Sequence, residues 1–257
     1  MPTTVAITGA AGRIGTAVRA GLSRDRYRIR AIDSVGVDDA APGDEVVVAD
    51  LRDPDATLAA LKGADAVVHL AARPNEASFT EILDSNVRTT AHVYEAARQV
   101  GVRRVVFASS MHVSGFYPWG RTTAPGDAVR PDTYYGLSKV YGEGLGQLYA
   151  DRFGLEVVNL RIGGFGPEPL QPAYLWVWLS HGDTVRLVDA ALGAPVAGVL
   201  TCYGVSRNTR GFYTEDGWDL LGYDPQDDAE RFADRWPDAQ PPEFQGMDFT
   251  ASGYLGG

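Results

Sequence analysis

The eight residues at positions 8–15, TGAAGRIG, constrain the fold of this chain more than any other stretch. They follow a short apolar run and precede apolar residues at helical spacing, which predicts a strand, a tight turn and a helix start. The three glycines, Gly9, Gly12 and Gly15, allow a sharp turn and a close approach of the backbone to a pyrophosphate. The free N–H groups at the start of the helix would donate hydrogen bonds to the oxygens of the pyrophosphate. A tight turn that binds no ligand is the alternative.

A second strand is predicted at residues 27–32 and ends at Asp33. Strand, helix and strand then complete a βαβ unit, with an acidic residue where such units bind the adenosine ribose. Asp33 would accept hydrogen bonds from the ribose hydroxyls and would repel a 2′-phosphate. The unit therefore predicts a dinucleotide site that prefers NAD to NADP, although Arg13 within the glycine turn favours the opposite choice.

Composition excludes several classes of protein. The 257 residues, of which 45% are hydrophobic, suit one α/β domain with a full core. A net charge of −10 argues against nucleic-acid and anionic membrane partners, since both require basic surfaces. A single cysteine, Cys202, allows no internal disulfide, and neither a secretory signal nor a membrane span is visible. We expect a cytoplasmic protein whose partner is a small molecule.

Apolar runs alternate with helical patterns along the chain. This alternation predicts an α/β fold, a doubly wound parallel sheet of the Rossmann type. We expect one domain, residues 1–257, with a dinucleotide-binding core at 1–162 and a small substrate-binding extension at 163–257. Strands are predicted at residues 5–7, 27–32, 45–49, 65–70, 105–108, 155–161 and 199–203, and helices at 14–22, 54–61, 78–99, 132–153 and 183–192 and near residue 218.

Tyr135 and Lys139 are the most informative pair in the sequence. They stand four residues apart on a predicted helix and therefore share one face. A phenol with an ordinary pKa near ~10 is a poor base at neutral pH, but a nearby ammonium group favours its anion. Ser110 directly follows a predicted parallel strand, so its hydroxyl would lie at the carboxyl edge of the sheet and hold a reacting oxygen. A surface Tyr/Lys pair without function is the alternative.

These features resemble the short-chain dehydrogenase/reductase superfamily, in its NAD-dependent epimerase/dehydratase branch. Within that branch the chain is similar to uronate dehydrogenase along nearly its whole length. That family oxidises the anomeric carbon of a hexuronic acid to a lactone with NAD, so the resemblance implies an NAD-dependent oxidoreductase. The similarity lies at residues 106–110 (VFASS), 112 (H), 117–118 (YP), 130–131 (RP), 135–136 (YG), 138–139 (SK), 161–163 (RIG), 167–169 (PEP) and 180–181 (SH).

The resemblance also implies a set of site residues. Ser110, Tyr135 and Lys139 would be catalytic. His112 would contact the substrate, or serve as a second acid or base. The NAD site would consist of Gly9, Gly12, Arg13, Ile14, Gly15, Asp33, Asp50, Leu51, Leu70, Ala71, Ala72, Asn86, Tyr135, Lys139 and Ile162, and the substrate site of Pro74, Met111, His112, Gly164, Phe165 and Ala173.

Three positions depart from the uronate dehydrogenase pattern, which has an asparagine, a serine and an arginine that hold the sugar acid. Here the three residues are Met111, Gly164 and Ala173. Arginine is the natural bidentate partner of a carboxylate. Its absence predicts a sugar-like substrate other than a uronate, unless Arg121 or Arg186 replaces it.

Six aromatic residues could form a wall against a sugar ring, with burial in the core as the alternative. His69 and His92 lie in a predicted strand and a predicted helix, where packing is the simpler role, and no metal site is expected. The six aromatic residues are Phe116, Tyr117, Trp119, Tyr174, Trp176 and Trp178.

Two other functions fit the same family: a sugar epimerase that oxidises its substrate transiently, and an inactive NAD-binding regulator. The retained Ser110, Tyr135 and Lys139 favour an active dehydrogenase over the regulator. The sugar, the carbon that is oxidised and the direction of the reaction are left open.

The resemblance further implies a homodimer formed through the predicted helices at 78–99 and 132–153. Gly142 and Gly146 in the second helix would permit close packing against the partner. Each costs about 1 kcal/mol of helix propensity, which such packing would compensate.

Overall fold

The computed structural model describes residues 2–256; Met1 and Gly257, the two ends of the predicted domain, lie outside the described residues. The strands are β1 Thr3–Thr8, β2 Tyr27–Asp33, β3 Glu45–Val48, β4 Ala66–His69, β5 Arg104–Ser110, β6 Glu156–Ile162, β7 Gly164–Phe165, β8 Trp178–Leu179 and β9 Val199–Gly204. Seven of them run parallel in one sheet in the order β3-β2-β1-β4-β5-β6-β9, and β7 pairs with β8 separately. The α/β fold with a parallel sheet is therefore confirmed.

The first strand, β1, lies at the centre of the sheet. Val5 stands opposite Ile29 of β2 on one side and opposite Ala66 of β4 on the other. The order of strands reverses at this point, because β2 and β3 continue in one direction and β4, β5 and β6 in the other. Such a switch point opens a crevice at the carboxyl ends of the strands, where open α/β sheets bind their ligands.

Helices cover both faces of the sheet. Val18 of α1 and Val188 of α7 belong to one buried apolar cluster, and Leu61 of α2 and Tyr94 of α4 belong to the other. Within residues 2–256, no helix combines the length and the apolar character that a membrane span requires. The helices are α1 Arg13–Gly21, α2 Pro54–Leu61, α3 Phe79–Ile82, α4 Thr89–Val100, α5 Tyr134–Phe153, α6 Tyr174–Val177, α7 His181–Gly193 and α8 Trp218–Leu221.

The predicted long helix at 78–99 is confirmed, since residues 79–100 are helical throughout, but it is not a regular α-helix along its whole length. A π-helical segment, Leu83–Arg88, separates α3 from α4. The hydroxyl of Thr89 donates to the carbonyl of Ser85 at 2.6 Å, a local bond that competes with the regular helical pattern. The segment places Asn86 inside the protein, where its side chain holds the backbone of Arg73 through two hydrogen bonds.

The C-terminal segment packs onto the loop that follows β5. The N–H of Gln245 donates to the carbonyl of Tyr117 at 2.9 Å, and the N–H of Gly246 donates to that of Gly115 at 2.8 Å. The Gln245 side chain is fully buried. A short 3₁₀ helix, Met247–Thr250, follows directly. The chain end thus contributes to the same region as the carboxyl edge of the sheet.

Gly142 and Gly146 face the protein's own sheet, so the expectation that they pack against a partner is wrong. A Cβ at Gly142 would overlap the ring of Phe107 in β5. A Cβ at Gly146 would lie 2.9 Å from the Tyr94 hydroxyl and from a Val157 methyl group. Both glycines allow α5 to lie close to the sheet.

Two glycines of α5 allow a matched test of this packing. Gly142→Ala should lower the free energy of unfolding by about 1–3 kcal/mol, because the new methyl group overfills the contact with Phe107. Gly144→Ala should raise it by about 0.5–1 kcal/mol, because a Cβ there meets nothing within 4 Å. Urea unfolding followed by circular dichroism measures both. Equal effects of the two substitutions would contradict this arrangement of α5.

Candidate active site

A groove runs along the carboxyl ends of β1, β4 and β5, beside the switch point. Its inner part, here called the inner cleft, has a volume of about 490 Å³ and is lined by Ser110, Tyr135 and Lys139 among others. Its outer part, the outer cleft, has a volume of about 520 Å³ and includes Asp33. The two parts share lining residues and are therefore continuous. The shared residues are Gly9, Gly12, Leu70 and Ala72.

The glycine turn forms the floor between the two clefts. Gly9 has a φ of +71°, and a Cβ there would lie 2.7 Å from the backbone nitrogen of Ala71. A Cβ at Gly15 would overlap the carbonyl of Gly9. Gly12 precedes α1 without a side-chain cap, so the first N–H groups of the helix are available to an anion. The turn therefore has the shape and the donors that the pyrophosphate of a dinucleotide requires.

The outer cleft carries carboxylates that suit an adenosine ribose. Asp33 ends β2, and its Oδ2 accepts from the N–H of Ala11 in the glycine turn at 3.0 Å. Asp50 and Leu51 line the same cleft. The side chain of Arg52 donates to Asp50 and holds the pKa of that carboxyl below its usual range. The predicted acid thus lies beside the predicted phosphate site, as NAD requires.

Ser110, Tyr135 and Lys139 meet in the inner cleft although 25 residues separate the first two. Ser110 is the last residue of β5, and its hydroxyl accepts from the N–H of His112 at 3.3 Å. Lys139 lies one helical turn after Tyr135, with Nζ 5.5 Å from the centre of the Tyr135 ring. Its ammonium donates to the carbonyl of Ala108 in β5 at 2.7 Å, which fixes α5 relative to the strand end.

A buried carboxylate that the sequence analysis did not identify anchors the start of α5. Glu76 accepts from the backbone N–H of Tyr134 at 3.2 Å and from that of Tyr135 at 2.8 Å. A negative charge at a helix N-terminus is favourable because it satisfies free N–H groups and opposes the helix dipole. Thr133 adds a cap, its hydroxyl accepting from the N–H of Gly136 at 3.0 Å. These contacts hold Tyr135 in place from its backbone.

Burial sets the protonation of the two central groups. It raises the pKa of Tyr135 to about 12, and interaction with the Ser110 hydroxyl offsets part of that rise. Burial also lowers the pKa of Lys139 to about 8. At neutral pH Tyr135 therefore holds its proton and Lys139 remains largely charged. Further positive charge beside the phenol is needed before it can act as a base near neutral pH.

His112 has one ring nitrogen fixed and one available. Its Nδ1 lies 2.6 Å from Oδ2 of the buried Asp132. This carboxylate can only accept, so the neutral imidazole carries its proton on Nδ1 and leaves Nε2 as an acceptor. Phe249 stacks on the imidazole with ring centres 4.1 Å apart. His112 is therefore held for contact with a ligand through Nε2.

The C-terminal 3₁₀ helix supplies three side chains of the inner cleft that the sequence analysis missed: Met247, Asp248 and Phe249. No spacing in the sequence connects them to the glycine turn, and their position follows from the docking of the chain end. Further lining residues that were not predicted are Asn75, Ala108, Ser109, Gly163 and Gln171.

Most of the predicted site residues line the groove. Asn86, Gly164 and Ala173 do not: Asn86 is buried and holds the backbone of Arg73, and Gly164 lies behind Tyr174. The lining residues of the inner cleft include Arg13, Ile14, Gly15, Pro74, Ser110, Met111, His112, Tyr135, Lys139, Ile162 and Phe165, and those of the outer cleft include Asp33, Asp50, Leu51 and Ala71.

The predicted aromatic wall is largely part of the core. Of its six members, Tyr174 alone lines the inner cleft. Trp178 is fully buried, and Trp119 packs against Trp176. His69 is also buried, between the hydroxyls of Thr8 and Thr90, and burial lowers its pKa to about 3. It is a packing residue, as predicted.

The two arginines considered as replacements for the missing one lie elsewhere. Arg121 pairs with Asp127, and Arg186 pairs with Asp183. Arg13 does line the inner cleft, where it donates to the carbonyl of Phe165 at 3.1 Å.

Comparison with known proteins agrees with this geometry. The model of the NAD dependent epimerase/dehydratase family matches residues 5–172, which include the glycine turn, Ser110, Tyr135 and Lys139. The chain belongs to this family. Its members bind NAD, and NAD is accordingly the cofactor of this enzyme, as predicted from Asp33 and the glycine turn.

Relatives match nearly the whole chain. Uronate dehydrogenase of Pseudomonas syringae pv. tomato is 40% identical over 97% of this chain and 94% of the relative. L-arabinose 1-dehydrogenase (NAD(P)(+)) of Haloferax volcanii is 36% identical over 88% of this chain and 97% of the relative. A mutant of Agrobacterium tumefaciens uronate dehydrogenase, complexed with NAD, has a TM-score of 0.91, 37% identity and 97% coverage of both chains. The predicted resemblance is confirmed.

The choice between NAD and NADP gives a test of the outer cleft. Asp33→Asn should lower the preference for NAD over NADP at least tenfold, because the carboxylate would no longer repel a 2′-phosphate. Calorimetric titration of both nucleotides measures the two dissociation constants. Asp216→Asn, which removes the same charge from an exposed site outside both clefts, is the matched control. If the unmodified protein bound NADP as tightly as NAD, this role of Asp33 would be wrong.

Proposed function

We propose that this enzyme oxidises the anomeric hydroxyl of a free sugar to a lactone. The proposal rests on one observation: Ser110, Tyr135 and Lys139 lie together in the inner cleft, which is also lined by residues of the glycine turn. The sugar-oxidising relatives support it, since they match nearly the whole chain.

Each of the three residues has a distinct task. The Ser110 hydroxyl donates to the reacting oxygen and holds it at the end of β5. Tyr135 accepts the hydroxyl proton on its phenolate oxygen. Lys139 keeps a positive charge 5.5 Å from the ring and thereby favours the phenolate. NAD, when bound, supplies the acceptor for the hydride that leaves the same carbon.

The alternatives considered from the sequence are less well supported. An NAD-binding regulator would have no need for the arrangement seen here, in which Lys139 and Tyr135 are both buried and Lys139 donates to the carbonyl of Ala108. The sequence relatives that are 35–40% identical over most of the chain are dehydrogenases rather than epimerases. We therefore retain net oxidation as the proposed reaction.

The charges in the inner cleft support a neutral substrate. Lys139 is bound to Ala108, and Arg13 is bound to Phe165 beside the phosphate-binding turn. Asp248 also lines the cleft but is exposed. Among the described residues, Arg13 is the one arginine that lines the inner cleft, and it already donates to a backbone carbonyl, so the cleft has no arginine whose sole contact would be a sugar acid.

Removal of the proposed base tests the mechanism. Tyr135→Phe should lower kcat at least a thousandfold and leave NAD affinity within about twofold, because the substitution removes only the proton acceptor. NADH formation with a sugar substrate and calorimetric titration of NAD measure the two effects. Turnover of the variant at the wild-type rate would exclude the mechanism.

The pH profile of the unmodified enzyme gives a second measurement of the same proposal. The fraction of Tyr135 that is ionised grows with pH, so kcat/KM for oxidation should rise with pH. The rise should flatten above about pH 8, where Lys139 loses its charge. Lys139→Met should lower the activity and remove the change of slope near pH 8. If the Lys139→Met variant kept this change of slope, a titrating group other than Lys139 would be its cause.

A homodimer remains a proposal, now with a different structural basis. Leu137, Tyr141 and Leu148 form an apolar stripe on the outer face of α5 and are 49%, 39% and 47% exposed. Phe79 of α3 is 55% exposed, and its ring contacts that of Tyr134 at the start of α5. A second copy would cover this stripe. The cytoplasmic location likewise stays a prediction, supported by the single buried Cys202.

A charge on this stripe tests the dimer. Leu148→Glu should convert the dimer to a monomer at micromolar concentration, because the carboxylate would be buried without a partner. Light scattering measures the molecular mass. Leu220→Glu on α8, also an exposed leucine, is the control and should leave the mass unchanged. A monomeric unmodified protein would rule out the proposal.

A further inference from the structure

One side of the inner cleft is apolar. Met111, Tyr174 and Met247 line it and belong to one packed cluster, here called the apolar corner. Met111 is 3% exposed and directly follows Ser110, so the corner lies next to the residue that holds the reacting oxygen. A substrate bound at Ser110 must therefore present part of its surface to three apolar side chains.

The ring of Tyr174 can occupy this corner only because residue 164 is glycine. A Cβ at Gly164 would lie 2.7–2.8 Å from three carbons of the ring. Even the smallest side chain at this position would push Tyr174 away. Gly164 and Tyr174 thus act as one unit, and the aromatic ring fills the space that a side chain at residue 164 would take.

Met247 enters the corner at a conformational cost. Its φ is +54°, and among residues 2–256 it is the only residue other than glycine with a positive φ. Methionine is strained in this region, which glycine adopts freely. The amide of Gln171 donates to its sulfur at 3.6 Å and helps to hold the side chain in place. The strained backbone is what directs a long apolar side chain to this part of the cleft.

The inner cleft also has polar lining residues, Asn75, His112 and Asp248. Carboxylate, imidazole and amide groups can all accept hydrogen bonds from sugar hydroxyls. The cleft therefore suits a ring that carries both hydroxyl groups and an apolar substituent.

We propose that the substrate is a neutral 6-deoxyaldose, whose methyl group contacts the apolar corner and whose ring hydroxyls contact Asn75, His112 and Asp248. This inference rests on the proposed sugar oxidation and adds the substrate class. A methyl group gains from apolar contact, whereas a hydroxymethyl group would place a hydroxyl against the two methionine side chains. A carboxylate in the same position would lose its hydration against these side chains.

Two matched series of sugars test the substrate class. D-fucose, L-arabinose, D-galactose and D-galacturonate differ only in the group on carbon 5: methyl, hydrogen, hydroxymethyl or carboxylate. D-quinovose, D-xylose, D-glucose and D-glucuronate form the second series. In the series whose ring hydroxyls fit, kcat/KM for NADH formation should be highest for the methyl compound, at least tenfold above hydroxymethyl and a hundredfold above carboxylate.

The outcomes separate this inference from the proposed function. If hexuronates or plain hexoses are oxidised as efficiently as the 6-deoxyaldoses, the inference is wrong and the proposed sugar oxidation stands. If none of the eight sugars yields NADH, the proposed function fails and the inference with it.

Variants assign the preference to the apolar corner. Met247→Gly should lower the ratio of kcat/KM for methyl over hydroxymethyl at least fivefold, and it should fold well because glycine relieves the positive φ. Tyr174→Ala should lower the same ratio. Leu255→Gly, at an exposed leucine of the same C-terminal segment, should leave it unchanged. An unchanged ratio in both corner variants would overturn the inference.

Discussion

The contact between α5 and β5 is the interaction on which the active site depends. Gly142 allows the helix to lie against the ring of Phe107, and Lys139 donates to the carbonyl of Ala108 near the end of the strand. Together they fix the position of Tyr135 relative to Ser110, which belongs to a different element. A wider separation of helix and strand would leave the phenol and the serine hydroxyl too far apart to bind one oxygen.

A buried ion pair supports the strand end from the other side. Arg161 of β6 donates to Glu143 of α5 at 2.8 Å, and the same carboxylate accepts from the hydroxyl of Ser109 at 2.6 Å. Both charges are largely removed from water. Loss of one partner from such a pair costs about 3–5 kcal/mol, because the other charge is left buried alone. The pair therefore links β5, β6 and α5 immediately behind Ser110.

The C-terminal segment completes the substrate side by close backbone packing. A Cβ at Gly246 would overlap the carboxylate of Asp132, so only glycine allows the chain to pass there. Glu76, which anchors the start of α5, also accepts from the N–H of Gly256 at 3.1 Å. The catalytic helix and the chain end are thus tied together. This explains why Phe249, more than a hundred residues from His112, can stack on its ring.

The sequence by itself determined the βαβ unit, the parallel sheet and the pairing of Tyr135 with Lys139. Each of these depends on the spacing of residues that are close together in the chain. It did not determine the π-helical segment that follows α3, where side-chain hydroxyls compete with the regular helical pattern. Tertiary structure alone decided that Gly164 makes room for Tyr174 and that Met247 enters the inner cleft. Those contacts join residues of different secondary-structure elements. They depend on steric fit between side chains, which produces no periodic pattern in the sequence.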